Sequence, residues 1–290
     1  MNTFIFFHAK KVTPYRACID GLFAAAVMKK FHPDATIIPA MYGCPPDLNS
    51  LDIKAGDKII LLDLSYKQRI IQGWINSGFD VTLIDHHKQA IADLLSTESF
   101  SRQISVTYDA AKSGAGLAWE YCTKNQENDV PKVVSLVQDY DTWAWKLEGT
   151  GNFNTAIKFI MDNEPYEKCI EIAQHFIADE YEVHQAINYG LVLETLYIQP
   201  AIEKAVDRSS IRNIDGYDAA YVKVKDKHEI FAYSRIGHEL LKRHPKAAFA
   251  VVETRGGWAL RSENDREDVE VIARRFGGDG HRNAAGCRKG

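Results

Sequence analysis

The apolar positions of this chain fall in short runs that stop abruptly at polar, ligand-type residues. Thr3 to Phe7 is a β-branched and aromatic run that ends at His8. Lys58-Ile59-Ile60-Leu61-Leu62 ends at Asp63, and the run from Phe79 to Ile84, bounded by Ser77-Gly78, ends at Asp85-His86-His87-Lys88. Runs of this length and composition predict strands. Their chemistry then sits at the carboxyl ends, where open α/β sheets bind ligands. Adjacent residues on an extended chain point to opposite sides, which gives His86 and His87 different roles.

Helical patterns separate these strands. After a loop through Pro14, Ala17-Cys18-Ile19-Asp20-Gly21 leads into an alanine-rich stretch, so Asp20 sits where a helix begins and its carboxylate meets a favourable dipole. Ala35 to Ala40 reads as a strand, Tyr42 to Asp47 as a loop, Tyr66 to Asn76 as a helix and Ile104 to Tyr108 as a strand. Ser113 offers an N-cap to a helix through Trp119 and Tyr121. The alternation predicts an α/β fold with a doubly wound, mostly parallel sheet. Pro131 opens a further helix, Val133 to Gln138, which ends in Asp139-Tyr140-Asp141; Trp143 and Trp145 beyond it read as core or rim packing rather than as base-stacking surfaces.

From Thr155 to about Val206 the pattern is helical, over Tyr166 to Ile177 and Glu180 to Leu196, with an interruption at Pro200. His175 and His184 lie there without ligand-type neighbours at metal spacing. A β pattern returns at Ser209 to Ile214 and Tyr217 to Val224. A helix from Ser234 to His244, strands Ala247 to Glu253 and Gly257 to Arg261, and a short helix Asp268 to Phe276 follow. The expected organisation is residues 1–180 as a first domain, 181–207 as a helical linker and 208–290 as a smaller α/β domain.

Composition narrows the function classes. With 290 residues, 46% of them hydrophobic, the chain is long enough for two domains with real cores. A formal charge of -4 and a pI near 6.2 give no global basic field, which argues against a protein that coats long duplex nucleic acid. Five dispersed cysteines without Cys-x-x-Cys spacing argue against a disulfide framework or a structural zinc site and fit a reducing, cytoplasmic setting. The first residues, Met1 to Phe7, lack a basic segment and are too short an apolar run for a signal peptide or a membrane span.

The triplet Asp85-His86-His87, together with Asp63 at the end of a second strand, resembles the DHH phosphoesterase superfamily, which includes RecJ-type exonucleases, family II inorganic pyrophosphatases, nanoRNases and some exopolyphosphatases. The segment Gly277-Gly278-Asp279-Gly280-His281-Arg282-Asn283-Ala284-Ala285-Gly286, which read alone is also an ordinary glycine-rich turn, resembles the signature of the DHH-associated C-terminal domain. The resemblance implies two manganese or magnesium ions held by His8, Asp20, Asp63, His86 and Asp139, with Asp63 bridging and Asp141 competing with Asp139. It also implies His87 facing the scissile phosphate, Asp85 orienting its neighbours, and Arg261, Gly278, His281 and Arg282 gripping a terminal phosphate. Three departures stand out: Cys18 where the family commonly has an aspartate, an interval from His8 to Asp20 that is longer than usual, and Asp279 where the family has glycine. The expected activity is hydrolysis of phosphate esters in small phosphorylated substrates, namely short single-stranded oligonucleotides or phosphonucleotides. The alternatives are an exopolyphosphatase and a non-catalytic nucleotide sensor.

Overall fold

The structure, a computed structural model, describes residues 1–12, 15–124 and 129–288. Pro14, placed in a loop by the sequence, lies outside the described residues. Two compact units emerge, Met1–Gly190 and Leu191–Gly290. Among the described residues, no helix is long and apolar enough to cross a membrane.

The first unit is built on strands β1 (Thr3–Lys11), β2 (Arg16–Ala17), β3 (Thr36–Ala40), β4 (Lys58–Leu62), β5 (Asp80–Asp85) and β6 (Ser105–Tyr108). Strand β1 is central, with β3 parallel on one side and β4 on the other, followed by β5 and β6, also parallel. The short β2 pairs antiparallel with the end of β1. Successive side chains alternate between two buried layers, which explains why the runs read as continuously apolar. Ile5, Phe7, Ile60 and Leu62 pack with Leu22, Ala25, Ala118, Val134 and Ala173 of the helices Ile19–Phe31, Gly114–Thr123, Lys132–Asp141 and Tyr166–Ala178. Phe4, Phe6, Ile59 and Leu61 pack with Ile71, Ile91, Leu94 and Phe100 of the helices Gln68–Asn76, Lys88–Leu94 and Glu98–Ser101. Helices on both faces of a parallel sheet make the doubly wound layout.

Strand lengths set the position of the polar residues. β1 runs four residues past the predicted end because Ala9 and Lys11 are paired by β2. Phe7 is the partner of Leu62, the last residue of β4, so His8 lies level with Asp63, one step beyond the shared edge. Ser113 caps the helix Gly114–Thr123 by accepting from Gly116 N at 3.2 Å, as the sequence predicts.

The second unit carries strands β7 (Ser210–Ile214), β8 (Tyr217–Lys223), β9 (Ala250–Thr254), β10 (Gly257–Arg261), β11 (Asp279–His281) and β12 (Ala284–Cys287) in the order β11-β12-β10-β9-β8-β7. Only β8 and β9 run parallel. Tyr221, Phe249, Val251, Leu260 and Ile272 form its core. The helix Lys227–Arg243 starts seven residues before the predicted Ser234, because the Asp226 side chain accepts from His228 N and Glu229 N. Pro200 does not break the chain's helical course: a π turn, Glu194–Ile198, precedes it, and the proline falls in the first turn of Gln199–Asp207, where its missing N–H is tolerated. Gly277 to Gly286 is largely a hairpin. A Cβ on Gly280 would lie 2.5 Å from Ala285 Cα, so glycine there serves the approach of two backbones.

Two glycines distinguish tight from open packing. A Cβ at Gly114 would lie 2.8 Å from Asp63 Cβ and 2.9 Å from Asp20 Oδ2, whereas one at Gly73, in the helix Gln68–Asn76, meets nothing within 4 Å. Gly114→Ala is expected to lower the unfolding free energy by about 1–3 kcal/mol. Gly73→Ala is expected to raise it by roughly 0.5–1 kcal/mol. Urea unfolding of both variants measures the contrast, and equal midpoints would contradict it.

Candidate metal centre

Strand ends and helix ends converge at one edge of the first sheet. Asp63, directly after β4, is almost fully buried and adopts φ +55°, the left-handed region that aspartate enters at modest cost. Its N–H donates to Ile84 O at 2.9 Å, and the Tyr42 hydroxyl donates to its carbonyl at 2.9 Å, so the backbone is held on both sides. The carboxylate divides its two oxygens. Oδ2 lies 3.3 Å from His8 Nδ1 and 3.6 Å from Cys18 Sγ. Oδ1 lies 3.2 Å from His86 Nε2 and 3.9 Å from His87 Nδ1.

Around His86 the remaining carboxylates close in. Its Nε2 is 3.5 Å from Asp141 Oδ2 and 3.7 Å from Asp20 Oδ2. Asp20 is anchored from behind by the amino end of the helix Gly114–Thr123, accepting from Gly114 N at 2.5 Å and Ala115 N at 2.8 Å. Asp85, fully buried at the end of β5, uses Oδ1 to accept from His86 N and His87 N and to hold His87 Nδ1 at 2.7 Å. Its Oδ2 is buried without a hydrogen-bond partner among the described residues. The adjacent imidazoles do take separate surroundings: His86 faces Asp63, Asp20 and Asp141, while His87 is fixed by Asp85 and neighbours the Tyr42 hydroxyl at 3.1 Å.

These charges shape one another. Burial, then the Asp141 and Asp63 carboxylates, push Asp20 up to about 8. Burial also raises Asp141. Burial would raise Asp63 too, but hydrogen bonds with His8 and His86 outweigh it and hold the carboxyl well below the usual range. Burial would lower His86, yet its hydrogen bond to Asp63 and the three nearby carboxylates push it up to about 10. Burial and the Asp63 charge lift the Cys18 thiol well above its ordinary value. Buried carboxylates that raise one another's proton affinity make this cluster a candidate cation site.

Donor chemistry agrees with that reading. His8, Cys18 and Asp63 offer ligand atoms within 4.8 Å of one another, as do Asp20, His86 and Asp141, and as do Asp63, Asp85, His86 and His87. The expected residues His8, Asp20, Asp63, His86 and His87 are therefore brought together. Asp139 is not. Its carboxylate turns into the following loop and accepts from Lys146 N at 2.8 Å, Leu147 N at 3.1 Å and Thr150 Oγ1 at 2.6 Å, bonds that hold it below the usual range against the effect of burial. Asp141, two residues on, occupies the cluster instead. Cys18 and Tyr42 also stand in this cluster, although the sequence marks Cys18 only as a departure from the family's aspartate and Tyr42 only as a loop residue.

In the second unit, Arg261 and His281 flank Ala284 on neighbouring strands. Arg261 is buried, with Nε donating to Ser234 Oγ at 3.0 Å and Nη1 to Leu260 O at 2.7 Å. Arg282 lies in the hairpin turn and donates through Nη2 to Asn264 O at 3.0 Å and Arg266 O at 3.1 Å. A Cβ on Gly278 would lie 2.1 Å from Gly286 O, so this glycine has a packing reason of its own.

No family profile matches the chain. An uncharacterized protein of Acanthamoeba polyphaga mimivirus is 31% identical over 263 residues, covering 83% of this chain and 56% of that protein. The oligoribonuclease NrnB of Bacillus subtilis strain 168 is 26% identical over 248 residues, covering 80% of this chain and 59% of that protein. The chain thus spans less than three-fifths of the length of either relative. Among solved structures, the DHH domain of a member of a ribosomal-protein family superposes with a TM-score of 0.54 at 12% identity, covering 98% of this chain and 82% of that one. This last likeness concerns the fold.

The two aspartates near Tyr140 have separable jobs. Asp139→Ala leaves two loop amides and a buried hydroxyl without their charged acceptor and is expected to cost about 1–3 kcal/mol of stability. Asp141→Ala removes a repelled carboxylate and is expected to leave stability of the metal-free protein unchanged or raised. Denaturant unfolding of both variants in a chelator checks the order, and an Asp141→Ala protein less stable than Asp139→Ala would reverse it.

Proposed function

We propose that the chain is a metal-dependent phosphoesterase of the DHH superfamily that hydrolyses phosphate ester bonds in small phosphorylated substrates, with short oligoribonucleotides as the leading class. The observation that carries the proposal is the division of the Asp63 carboxylate, one oxygen toward His8 and Cys18 and the other toward His86. A carboxylate so placed suits a bridge between two cations. His8, Cys18 and Asp63 would hold one, and Asp20, Asp63, His86 and Asp141 the other. Manganese or magnesium suits the second, oxygen-rich set. Bound there, paired cations supply Lewis-acid polarisation of the phosphate and activation of an attacking water.

The chain's own residues supply the rest. Burial would lower His87, but its hydrogen bond to Asp85 raises it, which favours the protonated ring that suits a phosphate oxygen on which charge develops. Asp85 orients that ring and fixes the strand end through two backbone amides. Tyr42 places its hydroxyl oxygen beside the His87 ring while its single proton is committed to the Asp63 carbonyl, so it braces this strand end. In the second unit, Arg261, His281 and Arg282 are proposed to bind phosphate, with Gly278 letting the backbone approach; Arg282 also braces the hairpin turn. The B. subtilis oligoribonuclease among the relatives supports oligonucleotides over polyphosphate as substrate.

Turnover of a panel containing di- and trinucleotides, 3′-phosphonucleotides and polyphosphate, with manganese present, tests the reading. Asp63→Asn and His86→Ala are each expected to lower kcat by at least about 10²-fold, since even loss of outer-shell partners costs 10–100-fold. Wild-type turnover in either variant would remove the site from this edge of the sheet. Cation affinity should also depend on pH. Asp20, at about 8, and His86, at about 10, carry protons at neutral pH that a cation must displace. Affinity is therefore expected to rise from pH 6 toward pH 9 with proton release, read by calorimetry in buffers of different ionisation enthalpy. A pH-independent affinity would mean that these two residues do not bind the cation.

A further inference from the structure

The two groups of donors at the Asp63 carboxylate are chemically unequal. On the Oδ1 side stand imidazole and carboxylates alone, from His86, Asp20 and Asp141. On the Oδ2 side stand one imidazole, His8, and one thiol, Cys18, at 3.3 Å and 3.6 Å from the same oxygen. The thiol is fixed there by the fold. Cys18 directly follows β2, whose Ala17 pairs with Ala9 of β1, and it forms the N-cap of the helix Ile19–Phe31 with extended backbone angles, φ -82° and ψ 124°. This places Sγ beside the His8 ring at the step where β4 has ended.

We infer that His8, Cys18 and Asp63 form a thiolate-containing position that selects a borderline cation such as Zn2+, Co2+ or Fe2+ over Mg2+, so that the protein carries two cation positions of different metal preference. The argument rests on the phosphoesterase reading only in expecting cations at this edge. The selectivity follows from ligand softness: thiolate and imidazole bind later first-row ions strongly, whereas Mg2+ dehydrates reluctantly and prefers oxygen. The carboxylate-rich neighbour retains the preference for Mn2+ or Mg2+. Mixed occupancy, and not two equivalent ions, is then the state in which the protein works.

Cobalt gives a readout independent of turnover. Chelator-treated full-length protein is titrated with Co2+ and followed by absorption, with binding stoichiometry from calorimetry on the same sample. Wild type is expected to show a sulfur-to-cobalt charge-transfer band in the near ultraviolet that saturates at one ion per chain. Cys18→Ser is expected to lose that band while still binding cobalt at the carboxylate-rich position. Cys44→Ser, which removes an exposed thiol elsewhere, is expected to keep it. In competition, Zn2+ affinity should fall at least about 10²-fold in Cys18→Asp, beyond the 10–100-fold range of outer-shell losses, with Mg2+ affinity rising. A band that persists in Cys18→Ser, or two bound cobalt ions without a band in wild type, overturns the thiolate assignment and leaves the phosphoesterase reading standing. Wild type that binds no cation at all overturns both.

Discussion

Everything at this edge of the first sheet depends on where one buried carboxylate can put its charge. Asp63 has almost no contact with solvent, so its negative charge must be met by partners inside the protein. Two histidines meet it in the structure, His8 on one oxygen and His86 on the other. Because His8 lies within β1 and His86 directly follows β5, the carboxylate ties β1 to the end of β5 through β4. The left-handed backbone at Asp63 turns the side chain toward both, and hydrogen bonds from its own N–H to Ile84 and from Tyr42 to its carbonyl hold that conformation.

The second constraint is repulsion. Asp20 and Asp141 stand near Asp63 with His86 among them, and the amino end of the helix Gly114–Thr123 offsets part of the cost by donating two amides to Asp20. This explains why glycine opens that helix. A larger residue at Gly114 would press on Asp20 and Asp63 together, so backbone and charge need the same small residue. The sheet would be easier to hold together with fewer acids at its edge.

Much of this is legible in the sequence because strand ends announce themselves. An apolar run that stops at His8, Asp63 or Asp85 has a definite last residue, and parallel neighbours bring such residues to one edge. Helix ends give a weaker signal. Asp139 follows directly on the buried run Val133 to Val137, which suggests a role at the site, yet its carboxylate closes the next loop. Val133, Val137 and Asp141 lie on one i, i+4 row, and that spacing favours Asp141. Cys18 misleads for a chemical reason: the comparison is with an absent carboxylate and not with its own donor. Tyr42 is invisible, since nothing local in its loop foretells a contact with Asp63 or His87. Asp226, followed three residues later by Glu229, has the spacing of a capping box, and Asp226 does cap the true start of the helix Lys227–Arg243.

The central position of β1 has a consequence for how the protein folds. Its partners β3 and β4 are parallel and distant in sequence, with Phe7 opposite Leu62, so the sheet closes long loops before any pairing is rewarded. The donors span residues 8 to 141, and no local segment assembles a set of them without the sheet. A denatured chain therefore presents no comparable site, and a cation bound by these donors would act on the native state. By mass action, a cation at about a hundred times its dissociation constant would add about 2.7 kcal/mol to native stability. A cation held at this edge of the sheet would thus also raise the fraction of chains that remain folded.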